Sequence, residues 1–318
     1  MLVLNEAETA SALAWPDLIE AIESMFSGPC VMPVRHHHDV DVPGEAHATL
    51  LLMPAWVPGH YIGVKLVSVF PDNHLRGLPA IHGSYLLSSG RTGEMLAAID
   101  GGELTARRTA AASALAGKYL ARKDAESMLV VGTGRLSLNL IQAHAAVRPL
   151  KHFSIWGRSR ANAEKIAEEA RQLGFDAVAC TDLENAAREA DVISCATLSQ
   201  EPLILGAWLK PGAHLDLVGA FKPTMRESDD DAVCLSQIYV DTRAGALSEA
   251  GDIIQPIERG LIKREDIRGE LSELIKGSIA GRSSEEAITL FKSVGAALED
   301  LAGAILAYET VTGRTVRD

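Results

Sequence analysis

The segment 127–137, SMLVVGTGRLS, decides the fold of the second half of the chain. Its apolar start predicts a buried strand, and the pair Gly132 and Gly134 follows directly. The residues after these glycines favour a helix, which completes the strand, glycine turn and helix of a dinucleotide fingerprint. Gly132 permits the tight turn, and Gly134 lets the backbone approach a pyrophosphate at the positive helix N-terminus. Ser137 takes the third small position, where helix and strand pack closely.

Strands and helices alternate on the C-terminal side of this segment. Short apolar runs occur in HFSIW, DAVAC, DVISCA, AHLDLVG and QIYVD, with helical stretches between them. This alternation indicates a parallel sheet that helices cover on both faces. We therefore predict an α/β fold, in which residues 113–291 form a Rossmann-type doubly wound parallel sheet that binds a dinucleotide.

The first hundred or so residues show a different pattern. An amphipathic helix around Leu18 to Phe26 is followed by four apolar runs with turn residues between them. These runs are ATLLLMP, YIGVKLVSVF, IHGSYLLSS and MLAAID, and they predict an antiparallel sheet between about Ala48 and Asp100. A long helix is expected from Glu103 to Arg122.

The C-terminal segment, Ser284 to Tyr308, predicts one long helix with many small residues. We expect this helix to return to the N-terminal domain. The Rossmann domain would then be an insertion in a second, α+β domain made of residues 1–112 and 292–318.

The end of the second Rossmann strand discriminates between the two nicotinamide cofactors. NAD enzymes usually have an Asp or Glu there for the ribose hydroxyls, but this chain has Arg158, Ser159 and Arg160. Two guanidinium groups and a hydroxyl suit a 2′-phosphate, which favours NADPH and leaves NADH possible. The alternative is that both arginines are solvated residues at a helix start.

Two charged residues before the Rossmann domain are candidates for a substrate site. Lys65 lies in a strand whose alternating faces are both largely apolar, so its ammonium should face an anion in a cavity. The alternative is an edge-strand lysine that prevents aggregation. Arg108 lies on a small, apolar helix face and could clamp a carboxylate, but spacing does not choose between it and Arg107.

Composition and charge restrict the possible partners and the compartment. The formal net charge of −12 opposes binding to nucleic acid or to an anionic membrane, and no apolar stretch is long enough to span a bilayer. We expect a cytoplasmic protein. The three histidines at 36–38 alternate faces in a strand and cannot converge on one ion, and no C-x-x-C pair occurs, so we predict no metal site.

The chain resembles the ornithine cyclodeaminase and mu-crystallin family over nearly its whole length. The resemblance is carried by the segments GVK at 63–65, LTARRTAA at 104–111, GTG at 132–134, KPGAH at 210–214, AGD at 250–252 and FKSVG at 291–295. The family fold has an N-terminal dimerisation and substrate domain that the C-terminal helix completes, with the Rossmann domain between. The resemblance thus implies the same domain organisation and a homodimer.

The resemblance also implies roles for individual residues. Its R-T-A-A pattern places the arginine for the substrate carboxylate at Arg108, and Arg35 and Lys65 match the family's substrate-binding arginine and lysine. Glu249 matches a position that faces the ligand, and its alternative is a helix-surface glutamate. The residues expected to contact the cofactor are Arg108, Thr109, Gly132, Thr133, Gly134, Arg135, Leu136, Arg158, Ser159, Arg160, Thr197, Val218, Gly219, Phe221 and Ser293.

One departure from the family pattern bears on the reaction. Ornithine cyclodeaminases carry a catalytic Asp in G-G-D-x-P-G, whereas this chain has Phe221 at that position. A phenyl ring cannot transfer a proton, so the sequence favours the branch that reduces cyclic ketimines, with Lys65 and Arg108 as catalytic residues. The substrates implied are Δ1-pyrroline-2-carboxylate and Δ1-piperideine-2-carboxylate, which give proline and pipecolate. The alternatives are an ornithine cyclodeaminase, an alanine dehydrogenase or a non-catalytic small-ligand binder.

Overall fold

A computed structural model describes residues 1–314 of the 318-residue chain. These residues divide into two compact units. Unit 1 consists of Met1–Arg108 together with the segment that begins at Ala297, and unit 2 is Thr109–Ala296. The sequence had suggested a first boundary after residue 112 and a second after residue 291.

Unit 1 is built on a six-stranded sheet. Its strands are β1 (Leu2–Leu4), β2 (His36–Val40), β3 (Ala48–Val57), β4 (Tyr61–Val69), β5 (Ile81–Ser89) and β6 (Met95–Asp100). They lie in the order β1-β6-β5-β4-β3-β2. The strands from β2 to β6 pair antiparallel, as predicted for β3 to β6, whereas β1 pairs parallel with β6.

Within the described residues, four helices complete unit 1. They are α1 (Glu6–Ala12), α2 (Trp15–Ser27), the first part of α3 (Gly101–Leu120) and α11 (Ala297–Thr312). The predicted amphipathic helix is confirmed as α2, which has a proline in its first turn and buries Leu18, Ile19, Ile22 and Phe26 along one face. Helix α3 crosses the boundary between the units, so the chain enters unit 2 within a helix.

Unit 2 contains an eight-stranded sheet in which all neighbouring strands are parallel. Its strands are β7 (Ser127–Val131), β8 (His152–Trp156), β9 (Asp176–Ala179), β10 (Val192–Cys195), β11 (His214–Leu217), β12 (Gln237–Val240), β13 (Ile267–Glu270) and β14 (Thr289–Lys292). The order is β13-β12-β14-β11-β10-β7-β8-β9. The predicted Rossmann-type sheet is confirmed, and its central strands are buried apolar runs as expected for a parallel sheet.

The helices of unit 2 alternate with its strands. They are α4 (Leu136–Ala145), α5 (Arg160–Gln172), α6 (Leu183–Glu189), α7 (Asp230–Leu235), α8 (Arg243–Glu249), α9 (Gly251–Glu258) and α10 (Leu271–Ile275). Within residues 1–314, no helix is both long and apolar enough to cross a membrane.

The prediction of a single helix from Ser284 to Tyr308 is wrong. The first part of that segment contains β14, which is wholly buried between β11 and β12. The chain then turns at Gly295, whose φ of 87° favours glycine, and α11 begins at Ala297. The small residues of the segment resemble a helix in composition, but the run Thr289 to Lys292 completes ladder hydrogen bonds that a helix could not supply.

Candidate active site

A cleft of about 440 Å³ lies in unit 2 at the carboxyl ends of β7 and β10. Strand order reverses there, because the chain runs from β7 through β8 to β9 on one side and continues with β10 on the other. Open parallel sheets bind their ligands at such a position. The residues that line the cleft are Gly132, Thr133, Gly134, Trp156, Gly157, Arg158, Ser159, Asn162, Ala196, Thr197, Leu198, Ser199 and Leu203.

The glycine loop has the shape that a dinucleotide requires. Gly132 has φ of 128°, and a Cβ atom there would lie 2.6 Å from the carbonyl oxygen of Ala196. A Cβ atom at Gly134 would instead enter open space at the cleft. Ser137 is buried and donates its hydroxyl to the carbonyl oxygen of Gly132 at 3.0 Å. The loop therefore fits a pyrophosphate, because its first glycine is required by the fold and its second leaves room for a ligand.

The end of β8 lies close to this loop. A Cβ atom at Gly157 would lie 2.5 Å from Cγ2 of Thr133, so glycine allows the two turns to approach. Arg158 and Ser159 line the cleft and are exposed, and Arg160 opens α5. The hydroxyl of Ser159 caps α5 by accepting from the backbone N–H of Asn162 at 3.3 Å. This surface presents guanidinium groups and a helix N-terminus, a combination that suits a phosphate.

The other residues expected at the cofactor lie around the same sheet edge. Thr197 follows β10, Val218, Gly219 and Phe221 follow β11, Ser293 follows β14, and Arg135 and Leu136 begin α4. Val218 and Ser293 each donate a backbone hydrogen bond to the adjacent strand, at 2.8 Å and 3.2 Å. Thr109 lies within α3, away from the strand ends in sequence.

Glu227 is a buried carboxylate that belongs to none of the motifs in the sequence. Its Oε1 accepts from the N–H and the hydroxyl of Thr197, at 2.6 Å and 2.8 Å, and its Oε2 accepts from the N–H of Gly219 at 2.7 Å. It thereby ties together the turns that follow β10 and β11. Burial raises the pKa of Glu227 to about 7, although the charge of Lys292 opposes this shift.

Asp252 and Lys292 extend this buried network. Oδ1 of Asp252 accepts from the backbone N–H groups of Glu227 and Ser228 at 2.8 Å and 3.0 Å. Nζ of Lys292 lies 3.6 Å from Oδ2 of Asp252, and both side chains are fully buried. The network fixes the position of Glu227 behind the cleft. One signal of this network is present in the sequence, because Lys292 is a charged residue within an apolar run.

Unit 1 contains a second buried charge cluster. Nζ of Lys65 lies 2.8 Å from Oδ2 of Asp300, and Nε of Arg108 donates to Oδ1 of the same residue at 2.9 Å. Nη1 of Arg108 donates to Oε2 of Glu299 at 2.6 Å. All four side chains are at least nine-tenths buried. The sequence predicts an anion in a cavity beside Lys65, and in the structure the anion beside Lys65 is the side-chain carboxylate of Asp300.

The structure shows whether Lys65 lies on an edge strand and which of Arg107 and Arg108 lies beside it. Strand β4 lies between β3 and β5, so Lys65 is not an edge-strand lysine. Arg108 is 5% exposed and belongs to the cluster. Arg107 lies one step around the helix, where it pairs with Glu103 at 2.8 Å and stacks over the ring of Trp15. Of the two arginines, Arg108 is therefore the one that joins Lys65.

The three histidines at 36–38 are exposed on β2 at the edge of the sheet. Within residues 1–314, no group of three or more His, Cys, Asp or Glu side chains is placed to hold a metal ion.

The model of the ornithine cyclodeaminase/mu-crystallin family matches residues 2–315. The chain belongs to this family. An uncharacterized protein of Schizosaccharomyces pombe is 45% identical over 96% of each chain. Protein SAR DEFICIENT 4 of Arabidopsis thaliana is 44% identical over 91% of this chain and 90% of its own. A Delta(1)-pyrroline-2-carboxylate reductase of Paracoccus denitrificans is 36% identical over 94% and 93%.

Solved structures of the ornithine cyclodeaminase/mu-crystallin fold match both units. The Thermococcus litoralis Delta(1)-pyrroline-2-carboxylate reductase, in complex with NADH and L-proline, has a TM-score of 0.91 and 34% identity, with 98% of each chain covered. An archaeal alanine dehydrogenase dimer with bound NAD has a TM-score of 0.89 and 30% identity, with 98% of this chain and 96% of the other covered.

The family resemblance also implies roles for three further positions, Arg35, Glu249 and Phe221. Arg35 is half-buried in the segment that leads into β2, and β2 is separated from β4 by β3. Glu249 ends α8 and is half-buried in unit 2. Phe221, which the resemblance aligns with the cyclodeaminase aspartate, is 38% exposed beyond the end of β11.

Proposed function

We propose that the protein reduces a cyclic imine of an amino acid, Δ1-pyrroline-2-carboxylate or Δ1-piperideine-2-carboxylate, with a reduced nicotinamide cofactor. The observation that carries the proposal is the buried pair of cations, Lys65 and Arg108, in a chain that also has a dinucleotide cleft. The proposal is supported by the reductase names of two relatives, one of which was solved with NADH and L-proline.

The reaction adds a hydride to the carbon of the C=N bond and a proton to its nitrogen. A reduced nicotinamide, when bound, supplies the hydride. The side chains of this chain then have to bind the carboxylate, orient the ring and keep the nitrogen protonated. Arg108 binds the carboxylate through its guanidinium, whose orientation is fixed by the bonds from Nε to Asp300 and from Nη1 to Glu299. Arg35 completes the carboxylate site.

Lys65 has either of two roles in this scheme, because it can donate a proton to the ring nitrogen or help to hold the carboxylate. Burial lowers the pKa of Lys65 to about 8, although the charge of Asp300 opposes this shift. An ammonium with that pKa is charged at neutral pH and gives up its proton more readily than an exposed lysine, so both roles are chemically accessible. Glu249 is proposed to stabilise the iminium charge.

Recognition of NADPH rests on the end of β8. Arg158 lines the cleft where an acid would bind a ribose diol, and Ser159 and Arg160 lie beside it at the start of α5. We propose that these residues bind a 2′-phosphate and that NADPH is preferred over NADH. The two solved relatives contain NADH and NAD, so a single-residue test of the preference is needed.

Unit 1 is proposed to bind the substrate and to form a homodimer in the cytoplasm, and unit 2 to bind the cofactor. The archaeal relative is a dimer, and β2 leaves one edge of the described sheet of unit 1 without a neighbouring strand. Size-exclusion chromatography with light scattering tests the dimer, because a monomer at micromolar concentration would contradict it.

A panel of substrates tests the proposed reaction. Purified protein is mixed with NADPH or NADH and with either cyclic imine, or with pyruvate and ammonia, and cofactor oxidation is followed by absorbance. The pyruvate arm is included because an alanine dehydrogenase is among the similar structures. We expect oxidation with a cyclic imine and formation of proline or pipecolate. Oxidation with pyruvate and ammonia alone would contradict the proposal, and no oxidation in any arm would favour a small-ligand binder.

A further inference from the structure

Two consecutive acidic residues in the first turn of α11 pair with Lys65 and Arg108. Glu299 is 1% exposed and Asp300 is fully buried. Asp300 uses one oxygen for each cation: Oδ1 accepts from Nε of Arg108 at 2.9 Å, and Oδ2 lies 2.8 Å from Nζ of Lys65. Glu299 makes its 2.6 Å hydrogen bond to Arg108. A single carboxylate therefore connects the two side chains that we propose to bind the substrate.

The charges of the cluster balance within unit 1. Lys65 and Arg108 supply two positive charges, and Glu299 and Asp300 can supply two negative ones. Removing one partner from a buried pair leaves an uncompensated charge, which is strongly unfavourable. Without Asp300, the ammonium and the guanidinium would repel each other with only Glu299 to compensate them.

The ionisable groups near Lys65 come from three elements. Asp300 and Glu299 on α11 raise its pKa, and Arg108 on α3 lowers it. On β5, Tyr85 is the cross-strand partner of Lys65 and is completely buried. Burial raises the pKa of the Tyr85 hydroxyl well above its usual value, so this residue stays uncharged. Among these groups, Asp300 has the largest opposing effect against the burial of Lys65.

We propose that Asp300 is a positioning residue for imine reduction, which aligns Lys65 and Arg108 toward one substrate carboxylate, whereas Glu299 hydrogen-bonds to Arg108 and not to Lys65 in the bonds given above. The proposal rests on the proposed function for the identity of the substrate. The geometry has a clear consequence: loss of the Asp300 charge affects both cations, and loss of the Glu299 charge affects chiefly one.

Three variants separate these roles. D300N is expected to lower kcat/KM for the cyclic imine at least tenfold and to move the alkaline limb of its pH profile to lower pH, because Lys65 loses its nearest negative charge. E299Q is expected to raise KM for the imine and to move the alkaline limb of the pH profile less than D300N does. E103Q is the matched control, because Glu103 pairs with Arg107 on the same helix and should behave as wild type. The cofactor affinity of E103Q, measured by fluorescence titration, should equal that of wild type.

The variant D300E distinguishes the effect of the negative charge from the effect of its position. It also replaces D300N in the test if D300N does not fold. It keeps the negative charge but displaces it by one methylene, so we expect the alkaline limb of the wild type together with a reduced kcat/KM. The proposal would be overturned if kcat/KM of D300E equalled that of wild type and, where D300N folds, its kcat/KM did so too.

Titration of Lys65 gives a readout that needs no substrate. Lys65 is followed by carbon-13 NMR of lysine-labelled protein, with K65M to assign its resonance. We expect Lys65 to titrate at lower pH in D300N than in E299Q, and at nearly the same pH in D300E as in wild type. An inactive wild type that still showed the D300N shift would reject the proposed function alone. An unchanged Lys65 titration in folded D300N would reject the role of Asp300, whatever the activity.

Discussion

Nε of Arg108 donates a hydrogen bond to Oδ1 of Asp300 at 2.9 Å, although the two residues are 192 positions apart in the chain. The bond connects α3, before the Rossmann sheet, to α11, after it. Both residues are buried, so breaking this bond would leave a buried charge poorly compensated. The proposed carboxylate clamp is consequently also part of the structure that holds unit 1 together.

Arg108 can be tested with a substitution that keeps its charge. Truncation to alanine would remove a buried cation that both Glu299 and Asp300 contact, which costs about 3 to 5 kcal/mol and threatens folding. Arg108→Lys keeps a cation but loses the planar fork, so we expect kcat/KM for the imine to fall about ten- to a hundredfold in steady-state assays. Arg107→Lys is the control on the same helix, and a larger loss in that variant would show that the wrong arginine was assigned.

The two glycines of the nucleotide loop should respond differently to alanine. Gly134→Ala adds a methyl group in open space, so the melting temperature should stay near that of wild type while NADPH affinity falls about tenfold or more. Gly132→Ala places a methyl group 2.6 Å from a carbonyl oxygen at φ of 128° and should lower the melting temperature. Calorimetry and cofactor titration measure both effects. Unchanged NADPH affinity in Gly134→Ala would place the pyrophosphate elsewhere.

Arg158 is expected to select between the two cofactors. A charge-assisted hydrogen bond to a 2′-phosphate contributes about 1.5 to 3 kcal/mol, so Arg158→Ala should raise KM for NADPH about ten- to a hundredfold and leave KM for NADH nearly unchanged. Lys165→Ala, which removes an exposed cation on the following helix α5, controls for the general loss of positive charge. Equal losses with both cofactors would refute recognition of the phosphate by Arg158.

The sequence predicted the elements whose chemistry is local. The glycine loop, the parallel strands and helix α2 each have a pattern within about twenty residues, and each is present in the structure. Segment 289–292 was assigned to a helix because a short buried strand and a small-residue helix share composition. Its identity as β14 depends on β11 and β12, which are distant in sequence.

The partners of charged residues were harder to predict. Lys65 was selected because its strand is apolar, but nothing local indicates that Asp300 neutralises it. Glu227 was likewise missed, because its function depends on the N–H groups of Thr197 and Gly219 in two other turns. A carboxylate at the surface and one buried between turns look alike in sequence, since only the fold determines their solvation.

Glu227 should make stability depend on pH. Its folded pKa of about 7 lies above the ordinary value, so the neutral form is favoured by folding and its contribution is present at low pH. That contribution is lost as pH rises from about 4.5 toward 7. The free energy of unfolding of wild type relative to Glu227→Gln should therefore fall between pH 5 and pH 8, by about 1 to 3 kcal/mol. Urea denaturation at both pH values measures it.

Glu258→Gln, at the exposed end of α9, is the control for this measurement. Its free energy of unfolding relative to wild type should be nearly the same at both pH values. A pH-independent difference for Glu227→Gln as well would show that Glu227 remains ionised throughout this range.

The most direct test of the central claim compares two reactions of the same purified protein. The family resemblance aligns Phe221 with the cyclodeaminase aspartate, and we propose that Arg35, Lys65 and Arg108 receive an amino-acid carboxylate. A protein of this kind should reduce a preformed cyclic imine but should not make one from ornithine. We predict NADPH oxidation with Δ1-pyrroline-2-carboxylate or Δ1-piperideine-2-carboxylate, and no ammonia release from ornithine with NAD. Ammonia release at a rate comparable to imine reduction would contradict the account.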